Sequence, residues 1–256
     1  MNLENAVKFF APKTPSLSDA PRATATDGLT GTDVMAAMGM CQSSAEFGFS
    51  AFMGKIGVSV ADRDRTVQLL TQFGLKQCGK IMAIRKLSPA VQAKVIETLA
   101  SFAYRDYCRS AAGQELCDCC NGLGMIYQLE DVVKHPGCGT TPAKVATERV
   151  GHVCRKCGGK GVVSAVCNDC RGRRVVIDRE ETERQGVPVK CTCKRCGGRG
   201  YKRIPASRAY QAIRHFVKEL PEKSWRYSYK PLYESMIVEC ERQESIADQQ
   251  LKKITR

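Results

Sequence analysis

The sequence predicts a mainly α-helical protein, with helical N- and C-terminal parts around a central zinc-knuckle module that carries short β-hairpins. Three observations lead there. Apolar residues recur at helical spacing before residue 110 and again after residue 205. Between residues 117 and 200 that periodicity stops while Gly and Cys rise. Four Cys-x-x-Cys pairs fall inside that stretch, at Cys117/Cys120, Cys154/Cys157, Cys167/Cys170 and Cys193/Cys196.

Four segments are expected. Residues 1–32 read as a flexible N-terminal arm, because residues 11–32 are rich in Pro, Ser, Thr, Ala and Gly. Residues 33–112 read as a helical subdomain. Thr30 or Thr32 is placed to cap a helix through Val34, Met35 and Met38, and Val67, Leu70 and Phe73 mark a helix over Asp62–Phe73. The clearest helix begins at Ser88-Pro89, a capping residue followed by a first-turn proline, with Val91, Val95, Leu99 and Phe102 on one face. Residues 113–203 form the cysteine-rich module. Residues 204–256 are helical: Ser207 is expected to cap a helix over Ala209–Leu220, Pro221 ends it, a second helix starts near Ser224-Trp225, and a third spans about Pro231 to Lys253. Helix, turn and helix with Arg and Lys outside is compatible with a helix-turn-helix. Ile213, Phe216, Trp225 and Leu232 are its expected packing face.

The chemistry lies in the repeat Cys-x-x-Cys-x-Gly-x-Gly. It reads CDCCNGLG from Cys117, CRKCGGKG from Cys154 and CKRCGGRG from Cys193; the copy at Cys167, CNDCRGRR, ends in Arg174 instead of glycine. Two residues between cysteines make a tight knuckle that aims both sulfurs at one ion, and zinc takes four thiolates at about 2.3 Å. The glycines allow positive φ, so that backbone amides can turn toward the thiolates. Eight knuckle cysteines therefore predict two Zn2+ per chain. Nested and sequential pairings are both open. Nested is favoured, because nine residues separate Cys157 from Cys167. It gives an outer site of Cys117, Cys120, Cys193 and Cys196 and an inner site of Cys154, Cys157, Cys167 and Cys170. Cys119, Cys138 and Cys191 are surplus, and Cys41, Cys78, Cys108 and Cys240 lie on expected helices as small hydrophobes.

Charge is concentrated. Of the net +14, residues 151–230 carry 20 basic and 7 acidic side chains. A positive field of that density beside zinc knuckles points to a polyanion, and to nucleic acid first. The expected DNA contacts are Arg208, Arg214, Lys218, Lys223, Arg226 and Lys230, with Arg171, Arg173 and Arg174 of the knuckles as the next candidates. Trp225, the one tryptophan, is expected in the core. No nucleophile–base set, phosphate-binding glycine loop or carboxylate pair stands out, and three histidines offer little for catalysis, so no enzyme is expected. No stretch approaches the roughly 18 apolar residues of a membrane span, and the N-terminus lacks a secretory pattern. A reducing, cytoplasmic setting follows, in which cysteines serve metals rather than disulfides.

Two resemblances bear on this. The repeated knuckle resembles the zinc domain of DnaJ-type cochaperones, over residues 117–200 only. The openings MNLENAVKFFAPKTPSLSDAP and TGTDVMAAMGMCQS, the segment SFAYRDYCRSAA and the end SWRYSYKPLYESMIVECERQESIADQQLKKITR resemble the late-gene antitermination proteins of lambdoid phages, phage 82 type, over nearly the whole chain. That resemblance implies a protein that recognises a double-stranded DNA element at the late promoter. It would load onto host RNA polymerase held with its sigma factor at a pause, with a host elongation factor as a further candidate partner, and let the enzyme read through pauses and terminators in the bacterial cytoplasm. The rival expectations are a cochaperone-like module that binds unfolded chains, and a plain DNA-binding repressor.

Overall fold

A computed structural model describes residues 1–10, 29–140 and 142–255. It divides the chain into two compact units, residues 1–108 with 204–256, and residues 109–203. The helical parts expected at the two ends are therefore one unit.

The chain opens with α1 (Leu3–Phe9). This corrects the flexible-arm reading for the first ten residues; residues 11–28 of that arm lie outside the described residues. Seven residues are too few to hold a helix in water by themselves, and packing does the rest. Leu3 and Ala6 are buried, the Asn2 side chain accepts from the Asn5 amide at 2.7 Å, and Asp248 accepts from the Leu3 amide at 3.0 Å. Next come α2 (Gly31–Ser44), α3 (Glu46–Lys55), α4 (Val60–Cys78), α5 (Met82–Arg85) and α6 (Pro89–Tyr107). Thr30 caps α2 in a reciprocal capping box with Asp33. Ser88 is the N-cap of α6 and Pro89 its first residue, although the Ser88 side chain makes no cap bond.

The second unit follows with β1 (Gln114–Leu116), β2 (Met125–His135), β3 (Lys144–Val153), β4 (Val162–Ser164), β5 (Val175–Asp178), α7 (Arg179–Gln185) and β6 (Val189–Thr192). Among the described residues the strands pair antiparallel, in three two-stranded ribbons: β1 with β4, β2 with β3 and β5 with β6. Asp178 caps α7, bonding the Glu181 amide at 3.3 Å.

The first unit then closes with α8 (Ala206–Arg214), α9 (Glu222–Ser224), a π-helical turn (Trp225–Tyr229) and α10 (Lys230–Ile254). Three details differ from the sequence expectation. α8 starts after Pro205 rather than at a Ser207 cap, and stops at Arg214. Its last turn tightens as His215 bonds Ala212 and Phe216 bonds Ile213, and the chain then turns back to bury Leu220, whose carbonyl accepts from the Tyr210 hydroxyl at 2.9 Å. The second and third expected helices run on as one helical stretch. Pro231 has no N–H to close an i→i−4 bond, and the wide π turn just before it, closed by the Lys230 amide on Trp225, absorbs the missing bond. Phe216 is 41% exposed and is not part of the packing face, whereas Ile213, Trp225 and Leu232 are buried.

α10 organises this unit. At 25 residues it is about 37 Å long, and it packs against α2, α3, α4 and α6. One end enters a core of Leu70, Ile96, Leu99, Ile213, Met236 and Ile237; the other enters a core of Leu3, Val34, Phe49, Phe52, Ala247 and Leu251. Each of the larger side chains, the leucines, isoleucines, valine, phenylalanines and methionine, contributes about 1.5–3 kcal/mol by leaving water. Gly48 lets α3 approach α10 closely, since a Cβ there would lie 2.9 Å from that of Ala247 and nearer still to the Gln243 carbonyl.

Candidate metal centres and basic surface

The ribbons decide which knuckles meet. The β2–β3 ladder runs from Met125↔Val153 to His135↔Lys144, and so holds the chain just after Cys120 against the chain just before Cys154. The β5–β6 ladder, from Val175↔Thr192, does the same for Cys170 and Cys193. Two buried clusters result: Cys117, Cys120, Cys154 and Cys157, and Cys167, Cys170, Cys193 and Cys196. The pairing is sequential, which corrects the nested pairing favoured from sequence. The short segment between Cys157 and Cys167 does not fold into a hairpin that would join them. It forms β4, which pairs back to β1, and Val166 bridges to Tyr201. Contiguous ladder pairs outweigh a short loop.

The donor set fits zinc. A tetrahedron with Zn–S of about 2.3 Å has S···S edges of about 3.8 Å. The observed Sγ separations are 3.8 Å for Cys117–Cys154, 3.7 Å for Cys120–Cys157, 3.9 Å for Cys167–Cys193 and 3.7 Å for Cys170–Cys196. The Gly124 amide donates to Cys120 Sγ at 3.2 Å and the Gly200 amide to Cys196 Sγ at 3.3 Å. Bonds of this kind disperse thiolate charge.

The thiols also show why a cation belongs there. In the first cluster the Cys157 amide, the largest influence, draws the Cys154 thiol down to about 6. Burial, with the Cys157 and Cys117 thiols, pushes Cys120 up to about 11. In the second, burial works against ionisation of Cys196, but the Gly200 amide and the neighbouring thiols bring it to about 7. The Cys196 amide favours the Cys193 thiolate, yet burial and the thiols of Cys196 and Cys167 raise it to about 11. One proton leaves readily and the next does not. A dication removes that resistance.

The two clusters share a local symmetry. At the first, fourth, sixth and eighth positions of each repeat the roles are the same, and the residues one, two and four places after the second cysteine all have positive φ. In the first cluster these are Asn121, Gly122 and Gly124, then Gly158, Gly159 and Gly161. A Cβ on Gly124 would lie 3.0 Å from the Gly159 carbonyl carbon, and one on Gly161 3.0 Å from that of Gly122. In the second cluster Gly200 is less crowded, with 3.5 Å to the Gly172 carbonyl carbon. The position matching it across that cluster is Arg174, at φ 69°, and Arg171 also has positive φ, at 47°. The left-handed region costs a non-glycine residue about 1–2 kcal/mol.

Cross-cluster ion pairs follow the same symmetry: Lys156 with Asp118, and Arg195 with Asp169 at 2.8 Å. The remaining cysteines lie outside both clusters. Cys119 and Cys138 are exposed and Cys191 is half-buried on β6. Cys41, Cys78 and Cys240 are buried and Cys108 half-buried in the helical unit. His152 pairs with Glu130 at 2.7 Å on the β2–β3 ribbon, and His135 accepts from the Gly137 amide at its end.

The six helical cations expected at DNA stand as follows. Arg214 is exposed, 5.7 Å from the Tyr210 ring centroid. Lys218 is exposed in the turn after α8, and Lys223 is exposed on α9. Arg226 pairs with Glu222 at 3.4 Å and Lys230 with Glu234 at 3.7 Å. Arg208 is half-buried on α8. Seven residues, His215–Pro221, separate α8 from the next helix, longer than the usual 3–4-residue turn of a helix-turn-helix. Trp225 is buried, its ring 5.4 Å from that of Tyr210.

Comparison with known sequences decides the family. The profile described as Antitermination protein Q matches residues 23–111 and 161–248. The chain belongs to the antitermination protein Q family. It is 40% identical to Antitermination protein Q of Salmonella phage P22 and 40% to that of Escherichia phage lambda, in each case over the full length of both chains. It is also 38% identical, again over both full lengths, to a prophage antitermination protein Q homolog of Escherichia coli K12. The family name marks a regulator of transcription rather than an enzyme. No helix among the described residues is long and apolar enough to cross a membrane. The second cysteine cluster lies inside the profile's second matched segment; all four cysteines of the first lie in the interval between the segments.

Proposed function

We propose that this chain is a phage transcription antiterminator. It binds double-stranded DNA at a late promoter and loads onto host RNA polymerase paused with its sigma factor, so that the enzyme reads through downstream pauses and terminators in the host cytoplasm. The full-length likeness to proteins named antitermination protein Q carries this reading. The basic excess over residues 151–230 supports the nucleic-acid half of it. Two zinc ions, one per four-cysteine cluster, tie the strands of residues 109–203 together, and metal binding and folding are one equilibrium there. Sequence reading of the DNA falls to Arg208, Arg214, Lys218, Lys223, Arg226 and Lys230, on and around α8 and α9. Three of them, Arg214, Lys218 and Lys223, are exposed without a carboxylate partner among the described residues.

The test is transcription in vitro on a late-promoter template, scoring readthrough of a terminator with and without the purified protein. Readthrough that depends on the protein and on the late promoter is expected. Unchanged termination at saturating protein contradicts the reading. A charge-removal scan of the six residues, on the late-promoter duplex and a scrambled one, locates the reading element: at least one arginine should cost about 1–3 kcal/mol on the specific duplex alone.

A further inference from the structure

The two four-cysteine clusters have one architecture and different surfaces. At the first, third and fourth places after the second cysteine, the first cluster offers Asn121, Leu123 and Gly124 with Gly158, Lys160 and Gly161. The second offers Arg171, Arg173 and Arg174 with Gly197, Arg199 and Gly200. One cation faces four. Between the cysteines, Lys194 adds a fifth exposed cation to the second cluster and Arg155 a second to the first, while Lys156 and Arg195 are held by Asp118 and Asp169. Arg171, Arg174, Lys194 and Arg199 are exposed and have no ion pair among the described residues.

Two of these arginines stand where the fold prefers glycine. Arg171 and Arg174 occupy left-handed backbone positions that the fourth knuckle fills with Gly197 and Gly200. At the place of Arg174 the other three knuckles have glycine, and in the first cluster a Cβ there would collide with the opposing carbonyl. Arginine has no local structural advantage in that conformation. Strained residues held by a rigid frame concentrate where a molecule binds, and a zinc-type knuckle is such a frame.

We propose that the second pair of knuckles, built on Cys167, Cys170, Cys193 and Cys196, is a phosphate-backbone clamp for duplex DNA, with Arg171 and Arg174 as contacting cations and Lys194 and Arg199 beside them. This rests on the reading that the chain binds duplex DNA, and adds a site separate from the helical residues assigned to base reading. The chemistry of the surface selects the ligand. Guanidinium groups on short turns match phosphate oxygens in geometry and charge. A single-stranded ligand would want exposed aromatic rings to stack on; residues 109–203 contain two aromatics, Tyr127 and Tyr201. Tyr127 is exposed but sits on the β2–β3 ribbon of the first cluster with Arg149 over its ring, and Tyr201 is half-buried, so the second pair of knuckles presents no exposed ring. The clamp supplies affinity and register, with no sequence preference of its own.

The experiment uses the full-length, metal-loaded protein and fluorescence anisotropy on three probes: the late-promoter duplex, a scrambled duplex and a single-stranded RNA of equal length. The variant is Arg171→Gly with Arg174→Gly, glycine being native to the fourth knuckle at both places. Both metals should be retained and the melting temperature unchanged or raised. On both duplexes alike, affinity should fall and the slope of log K against log salt should become less steep by about 1.8, two phosphates at about 0.9 each. An unchanged slope on both duplexes overturns the proposal. So does an affinity loss accompanied by metal loss, or a loss confined to the RNA. A parent protein that binds neither duplex overturns the DNA reading as a whole, a different outcome from parent binding that the variant leaves intact.

Discussion

Gly161 and Gly122 face each other across the first four-cysteine cluster so closely that a Cβ on Gly161 would lie 3.0 Å from the Gly122 carbonyl carbon. Gly161 also has φ 70°, and its carbonyl accepts from the Cys117 amide at 2.8 Å. Gly161→Ala should therefore break the first cluster and cost one metal per chain. Gly158→Ala, at φ 59° with nothing near its would-be Cβ, should cost only the left-handed penalty of about 1 kcal/mol and retain both metals. Metal analysis with thermal melting separates the two; equal behaviour would mean that the close approach is unimportant.

Asp248 ties the first helix to the last. Its carboxylate accepts from the Leu3 amide and pairs with Lys252. Burial by itself would raise its pKa, but Lys252, the Leu3 amide and the chain's amino terminus outweigh burial and hold it below the ordinary 3.8. A depressed folded pKa means that this stabilisation is fully present above the unfolded value and fades as pH falls through the folded one. Amide exchange in Ala6 and Val7 should accelerate selectively below about pH 4, and Asp248→Asn should accelerate it already at pH 7. Exchange in α1 independent of both changes would contradict this account.

Trp225 is a packing residue in this structure, set against Tyr210 and buried in the larger core of the helical unit. Trp225→Ala should cost about 3–5 kcal/mol of stability. Trp225→Phe should cost less and leave duplex affinity as in the parent protein, because no base can stack on a buried ring. A large affinity loss in a folded Trp225→Phe variant would assign the ring a contact with nucleic acid.

Local chemistry was legible in the sequence, and long-range registration was not. Thr30 marks a helix start because a capping side chain acts within one turn, and Ser88-Pro89 because a first-turn proline has its φ already set for a helix. The eight ligand cysteines stand out because a knuckle is only four residues long. Which knuckles meet depends on a ladder such as Met125↔Val153, between strands whose exposed, mixed side chains carry no strong alternation. α1 was hidden because its stability comes from Asp248 and the core around Leu251, some 245 residues away in sequence. Pro231 read as a helix start, and the π turn that lets the helix run through it has no sequence signature. Arg174 stood out as the broken glycine, but its positive φ, and so its cost, is visible only in the fold.

The sequential pairing of the cysteines is tested most directly by zinc content in two double variants. Cys117→Ser with Cys154→Ser removes two ligands from one cluster, and Cys117→Ser with Cys193→Ser removes one from each. The structure predicts that the first variant keeps one zinc per chain, held by Cys167, Cys170, Cys193 and Cys196, whereas the second loses tight binding at both sites. Nested pairing predicts the reverse, with both sites lost in the first variant and one zinc kept in the second, and that result would contradict the account.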